Sequence, residues 1–106
     1  MKTIHFYVDF ISPYAWLGFD ALPRALEGIS HRMVHKPVLF AALLKHHGQL
    51  GPAEIPTKRD WTYRQVLWQA RQQGTPLQLP ALHPFSPLGL LRLATACDAD
   101  GQPNRY

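Results

Sequence analysis

Apolar positions recur every second residue at the N-terminus, where Ile4, Phe6 and Val8 are separated by His5 and Tyr7 and followed by Asp9. A period of two in residues that suit a pleated, half-buried surface predicts a strand over residues 3 to 9. Ser12-Pro13 comes next: a residue that caps helix N-termini, then one suited to the first helical position because its missing N–H would be unpaired there anyway. The helix so opened carries Tyr14, Leu17, Phe19, Ala21, Leu22, Ala25 and Leu26, with Gly28 as its stop. Pro23 falls inside it and removes one backbone bond, which predicts a kink near residues 19 to 22. A short second strand, residues 31 to 36, centres on Met33 and Val34 and is closed by Pro37.

From there the period becomes helical. Val38, Leu39, Ala42 and Leu43 predict a helix over residues 38 to 47, and the glycines and prolines of residues 48 to 57 predict a loop. Thr57, with Asp60 behind it, reads as the cap of a helix that runs to Gln73, presents Tyr63, Val66, Leu67 and Ala70 on one face, and stops at Gly74. The proline-rich stretch 75 to 87 reads as extended loop. Ser86-Pro87 then opens a last helix whose residues Leu88 to Cys97 are apolar on nearly every side, which predicts burial.

Strand, helix, strand and three further helices define an α/β fold. Residues 1–37 form a βαβ unit with parallel strands and a right-handed crossover, and residues 38–106 form an α-helical insertion. Two strands make no sheet able to cover itself, so the expectation is that the parent sheet continues beyond residue 106. An open sheet edge left behind favours pairing with another chain.

Composition narrows the function classes. At 106 residues, 46% hydrophobic and 17% charged, the chain suits one soluble core. The net charge of +4 comes from basic residues scattered singly or in pairs, not from the stripe that nucleic acid requires. Cys97 is the single cysteine, which rules out an intrachain disulfide or a cysteine zinc cluster. The histidines are poorly spaced for a metal: His46 and His47 are adjacent and would face different sides of a helix, and only His31 and His35 stand four apart, within a strand. With no apolar run of about 20 residues and no leader-like start, a cytoplasmic protein with no membrane partner is expected.

Chemistry concentrates in Phe10-Ile11-Ser12-Pro13-Tyr14-Ala15-Trp16-Leu17, the turn from strand into helix. Unpaired N–H groups and the positive end of a helix dipole stabilise a developing anion there and lower a thiol's pKa. Ser12 can serve that chemistry or simply cap the helix.

Asp9-Phe10-Ile11-Ser12-Pro13-Tyr14-Ala15-Trp16 resembles the start of kappa-class glutathione transferases and 2-hydroxychromene-2-carboxylate isomerases, a group within the DsbA-like thioredoxin superfamily. Similarity extends through Lys36 to Phe40, Leu44 to Gln49, Pro56 to Arg59, Tyr63-Arg64 and His83-Pro84-Phe85. Ser12 and Ala15 stand where disulfide oxidoreductases carry two cysteines, so dithiol chemistry is excluded by the atoms present. The resemblance implies the first half of a thioredoxin-like fold, its C-terminal half with the cis-proline loop absent, and hence an incomplete catalyst. It implies glutathione as cofactor, with Ser12 hydrogen bonding to its sulfur, Lys58 contacting its carboxylate and Gln49 near the tripeptide where kappa-class relatives carry asparagine. Tyr14, Trp61 and Arg64 are candidates for the pocket of a small aromatic carboxylate, although tryptophans spaced like Trp61 and Trp68 also serve as core or subunit contact. The implied activity is glutathione-dependent isomerisation of 2-hydroxychromene-2-carboxylate to trans-o-hydroxybenzylidenepyruvate, as in naphthalene breakdown, by a homodimer. The rivals are kappa-like glutathione transfer or peroxide reduction, and a thioredoxin-like interaction module without catalysis.

Overall fold

The computed structural model describes residues 1–81 and 85–99. His83 and Pro84, two of the residues that carry the resemblance, lie outside them. The mixed α/β architecture agrees with the order predicted from sequence. Strand β1 (Lys2–Val8) pairs in parallel with β2 (His31–Pro37), Lys2 opposite His31 and Val8 opposite Pro37, and helix α1 (Pro13–Ala25) makes the crossover.

The period of two sorts the sheet into two faces. Ile4, Phe6 and Val8 share one face with their partners Met33, His35 and Pro37. Phe6 and His35 there meet Phe19 of α1 at ring separations of 6.4 and 5.4 Å. A Cβ at Gly18 would stand 3.6 Å from the Phe6 ring, an ordinary van der Waals contact, so the packing of α1 on this face leaves room for a small side chain there. On the opposite face Tyr7 is exposed, and the Lys36 ammonium lies 5.8 Å from the centre of its ring.

Helix α1 ends at Ala25, two residues past Pro23, and not at Gly28, which lies in the following turn at φ 82°. Helix α2 is shorter than predicted, Phe40–His46. Within the predicted loop, Pro52–Glu54 form a single 3-10 turn. Helix α3 (Pro56–Gln73) has Ile55, not Thr57, at its N-cap position, with no side-chain cap bond, because Pro56 takes the first helical position and draws Thr57 into the first turn. Gly74 adopts the left-handed conformation at φ 70°, and the Thr75 amide donates to the Ala70 carbonyl at 2.9 Å, which closes the helix.

The core is small and lies between α1 and α3. Leu17, Val66 and Ala70 are buried there, with Leu77 and Leu79 of the extended segment packed against them. Helix α4 (Leu88–Ala99) is not buried all round. It packs against β2 and buries Leu91 and Ala94, but Leu90 and Leu93 are exposed, because one layer of neighbours covers only one side of a helix. Cys97 is half-buried for the same reason. His46 and His47 do not diverge: His47 sits beyond the last helical residue, and the two rings meet edge to face at 5.0 Å. No helix among the described residues is long and apolar enough to cross a membrane.

Candidate active site

Asp9 organises the turn between β1 and α1. Its side chain is buried, and each carboxylate oxygen accepts one backbone bond: Oδ1 from the Ile11 amide at 3.2 Å, Oδ2 from the Phe40 amide at 2.7 Å. Its carbonyl also accepts from the Ser12 amide at 3.1 Å. The N-terminus of α2 has no side-chain cap from Leu39, so Asp9 supplies from a distance what the local sequence lacks. One carboxylate thereby fixes the Ser12 turn and the start of α2 relative to each other.

Ser12 caps α1. Its Oγ accepts from the Ala15 amide at 3.2 Å. Accepting occupies lone-pair density only, and the hydroxyl proton remains available to donate outward. The structural and the chemical reading of this serine are thus compatible on one atom.

Two cavities meet at this turn and share Ile11, Ser12, Pro13 and Phe85 as wall. The first, about 410 Å³, runs toward Trp16 and the extended segment 76–80. The Trp16 indole helps hold that segment by donating to the Pro76 carbonyl at 2.8 Å. The second, about 610 Å³, is bounded by Tyr14, Phe40, Leu44, the 3-10 turn and the α3 residues Arg59 and Thr62. Both volumes fall in the range of small-molecule sites.

Tyr14 joins the second cavity to a polar chain that runs along α3. Its hydroxyl donates to Gln65 Oε1 at 2.5 Å, Gln65 to Gln69 at 3.2 Å, and Gln69 to Gln73 at 3.0 Å. Gln73 donates to Thr75 at 3.2 Å, and Thr75 ends the chain on the Asp20 carboxylate at 2.6 Å. Every donor points the same way, an arrangement in which successive bonds polarise one another. Glutamines at i, i+4 and i+8 lie along one side of α3, and this chain, which begins at Tyr14 and ends at Asp20, both on α1, ties α1 to α3 together with the Arg24 guanidinium, which donates to the Gln73 carbonyl at 3.4 Å.

Burial raises the Tyr14 pKa above its ordinary 10.0. The raised value means the folded state holds this proton more tightly than the unfolded chain does. Its contribution to stability is therefore complete below pH 10.0 and is lost as pH rises through the folded pKa. Titration of phenolate absorbance in the wild type and in Tyr14→Phe should differ by one component that ionises above pH 10.0. A missing component at or below that value would contradict the assignment.

Of the residues singled out from sequence, the structure brings Ser12 and Tyr14 together on the second cavity. Gln49, Lys58, Trp61 and Arg64 are exposed and are not part of its wall. Asp9 and Arg59 were missed. Asp9 gave no local signal beyond ending a strand, but Arg59 was legible in the helical phase of α3. At about 100° per residue, Arg59 lies within roughly 20° of the mean direction of Thr62, Val66 and Ala70, and Lys58 about 80° away. Among the described residues, no three His, Cys, Asp or Glu side chains come together as a metal site.

A parallel βαβ unit with a capping serine where its first strand meets its helix is consistent with the start of a thioredoxin-like domain. Residues 3–106 match the family model of the DSBA-like thioredoxin domain, and the chain belongs to that family. It is similar to Glutathione s-transferase kappa 2 of Caenorhabditis elegans, 32% identical over 80 residues, which covers 74% of this chain and 36% of that protein. It is also similar to Glutathione S-transferase kappa 1 of Rattus norvegicus, 27% identical over 79 residues, covering 74% of this chain and 35% of the relative. The similarity to Glutathione S-transferase kappa 1 of Homo sapiens is 32% over 57 residues, 54% of this chain and 25% of the relative. The chain thus spans about a third of the length of the curated relatives it matches. No solved structure matches it significantly.

Proposed function

We propose that the Ser12 turn binds reduced glutathione and holds its sulfur as thiolate, in a protein that isomerises 2-hydroxychromene-2-carboxylate-type aromatic acids. One observation carries this reading: the Ser12 hydroxyl, with its proton available, stands at the N-terminus of α1 on the wall shared by two ligand-sized cavities. A reaction between two small molecules needs that arrangement, with a place for each and an anion-stabilising donor between them. Bound glutathione supplies a nucleophilic sulfur that adds to a conjugated carbon and leaves again, so that the glutathione is not consumed.

The chain's own residues hold and orient. Ser12 donates to the sulfur, and the dipole of α1, thirteen residues long, favours negative charge at the same point. Phe40, Leu44 and Phe85 line the larger cavity with apolar surface, on which the apolar body of a ligand can rest. Gln49 and Lys58, both solvent-exposed, are available to the outer polar ends of the tripeptide. The names of the relatives favour a second reading, glutathione transfer, in which the conjugate itself is the product.

Calorimetry of this chain with reduced glutathione should show binding at about millimolar or tighter. Absence of heat at that concentration would sink the reading and favour a non-catalytic module. In a turnover assay, conversion of the chromene acid to the benzylidenepyruvate without net loss of glutathione identifies the isomerase. Stoichiometric loss of the thiol identifies the transferase instead.

A further inference from the structure

We infer that Arg59 is the specificity-determining cation of the larger cavity and pairs with the carboxylate of an apolar-bodied organic acid. The inference rests on reading the Ser12 cavities as the ligand site, and it assigns a residue that the resemblance passes over in favour of its neighbour Lys58.

The wall of this cavity is apolar over most of its extent, with Ile11, Pro13, Phe40, Leu44 and Phe85 around it. Two charged side chains interrupt it. Glu54 is already engaged, its Oε2 accepting from the Gly51 amide at 3.2 Å. Arg59 is half-buried, and among the described residues no carboxylate lies within ion-pair distance of it. A guanidinium partly removed from water and lacking an anion is costly, and a ligand carboxylate offsets that cost with paired, charge-assisted bonds.

The backbone decides which cation reaches the cavity. Arg59 continues the inward face formed by Thr62, Val66 and Ala70, whereas Lys58 turns to solvent. Ser12 and Arg59 both border the same space of about 610 Å³. A planar apolar acid held at its carboxylate by Arg59 would present its body to the Ser12 turn. The two carboxylates of glutathione are the competing source of the same chemistry, and its peptide groups suit this apolar wall poorly.

The test measures binding of 2-naphthoate, of uncharged 2-naphthamide and of reduced glutathione to the wild-type chain and to Arg59→Gln, Arg59→Lys and Lys58→Gln, with circular dichroism to confirm folding. The wild type should prefer naphthoate to the amide by roughly tenfold or more. Arg59→Gln should abolish that preference and leave amide and glutathione affinities unchanged, Arg59→Lys should restore part of it, and Lys58→Gln should keep it. Loss of naphthoate preference in a chain that never binds glutathione supports Arg59 while removing the glutathione reading. A preference that survives Arg59→Gln, a loss confined to glutathione, or no naphthoate binding by the wild type each overturns the assignment.

Discussion

Ser12→Ala should lower the proposed glutathione-dependent turnover about a hundredfold and leave the fold intact. The size follows from removing one preorganised donor aimed at developing negative charge. Survival of the fold follows from what else the side chain does: it accepts one bond from the Ala15 amide at 3.2 Å, and losing such a cap costs about 1 kcal/mol. The α1 dipole remains in the mutant, so some anion stabilisation persists. Ultraviolet titration of the glutathione-bound protein isolates the cause, because the thiol pKa of bound glutathione should rise when the serine donor is removed. An unchanged thiol pKa would show that Ser12 is a cap and nothing more.

Asp9→Ala should be the most destabilising single change at the site, by about 3–5 kcal/mol, since it removes two bonds that backbone amides donate to a buried carboxylate. In a domain whose total stability is on the order of 5–10 kcal/mol, that is a large fraction. Asp9→Asn should cost about half as much, because its single carbonyl oxygen can satisfy one amide while its NH₂ group meets the other donor with a donor. Urea denaturation of the three proteins gives the ranking. Midpoints for both variants indistinguishable from wild type would mean that Asp9 does not hold the turn. Asp9 acts on the placement of the Ser12 turn, whereas the proposed role of Ser12 is toward bound glutathione, so stability and thiol pKa respond to different substitutions.

Much of the fold was legible because the signals were local. Alternation at Ile4, Phe6 and Val8 gave β1 to within a residue at each end, and Ser12-Pro13 gave the first turn of α1, because periodicity and cap chemistry act over three or four residues. Gly74 marked the end of α3 for an equally local reason, a backbone angle that glycine adopts without strain. Where two local signals competed, the choice failed. Thr57 is a good cap by composition, yet Pro56 before it starts the helix and leaves the cap position to Ile55.

The sequence by itself determined the βαβ order, the serine at the helix start and, through Ser12 and Ala15 in place of two cysteines, the exclusion of dithiol chemistry. Only the tertiary structure decided which side chains meet. Asp9 caps a helix 31 residues away, Tyr14 reaches Gln65 across 51 residues, and Arg59 rather than Lys58 borders the cavity of Ser12. The exposure of Leu90 and Leu93 on α4 was likewise hidden, since an apolar composition states what a helix could bury and not how many neighbours it has. The physical reason is common to all four. Secondary structure follows from interactions within a few residues, whereas a site is made of contacts whose partners are brought together only when the layers pack.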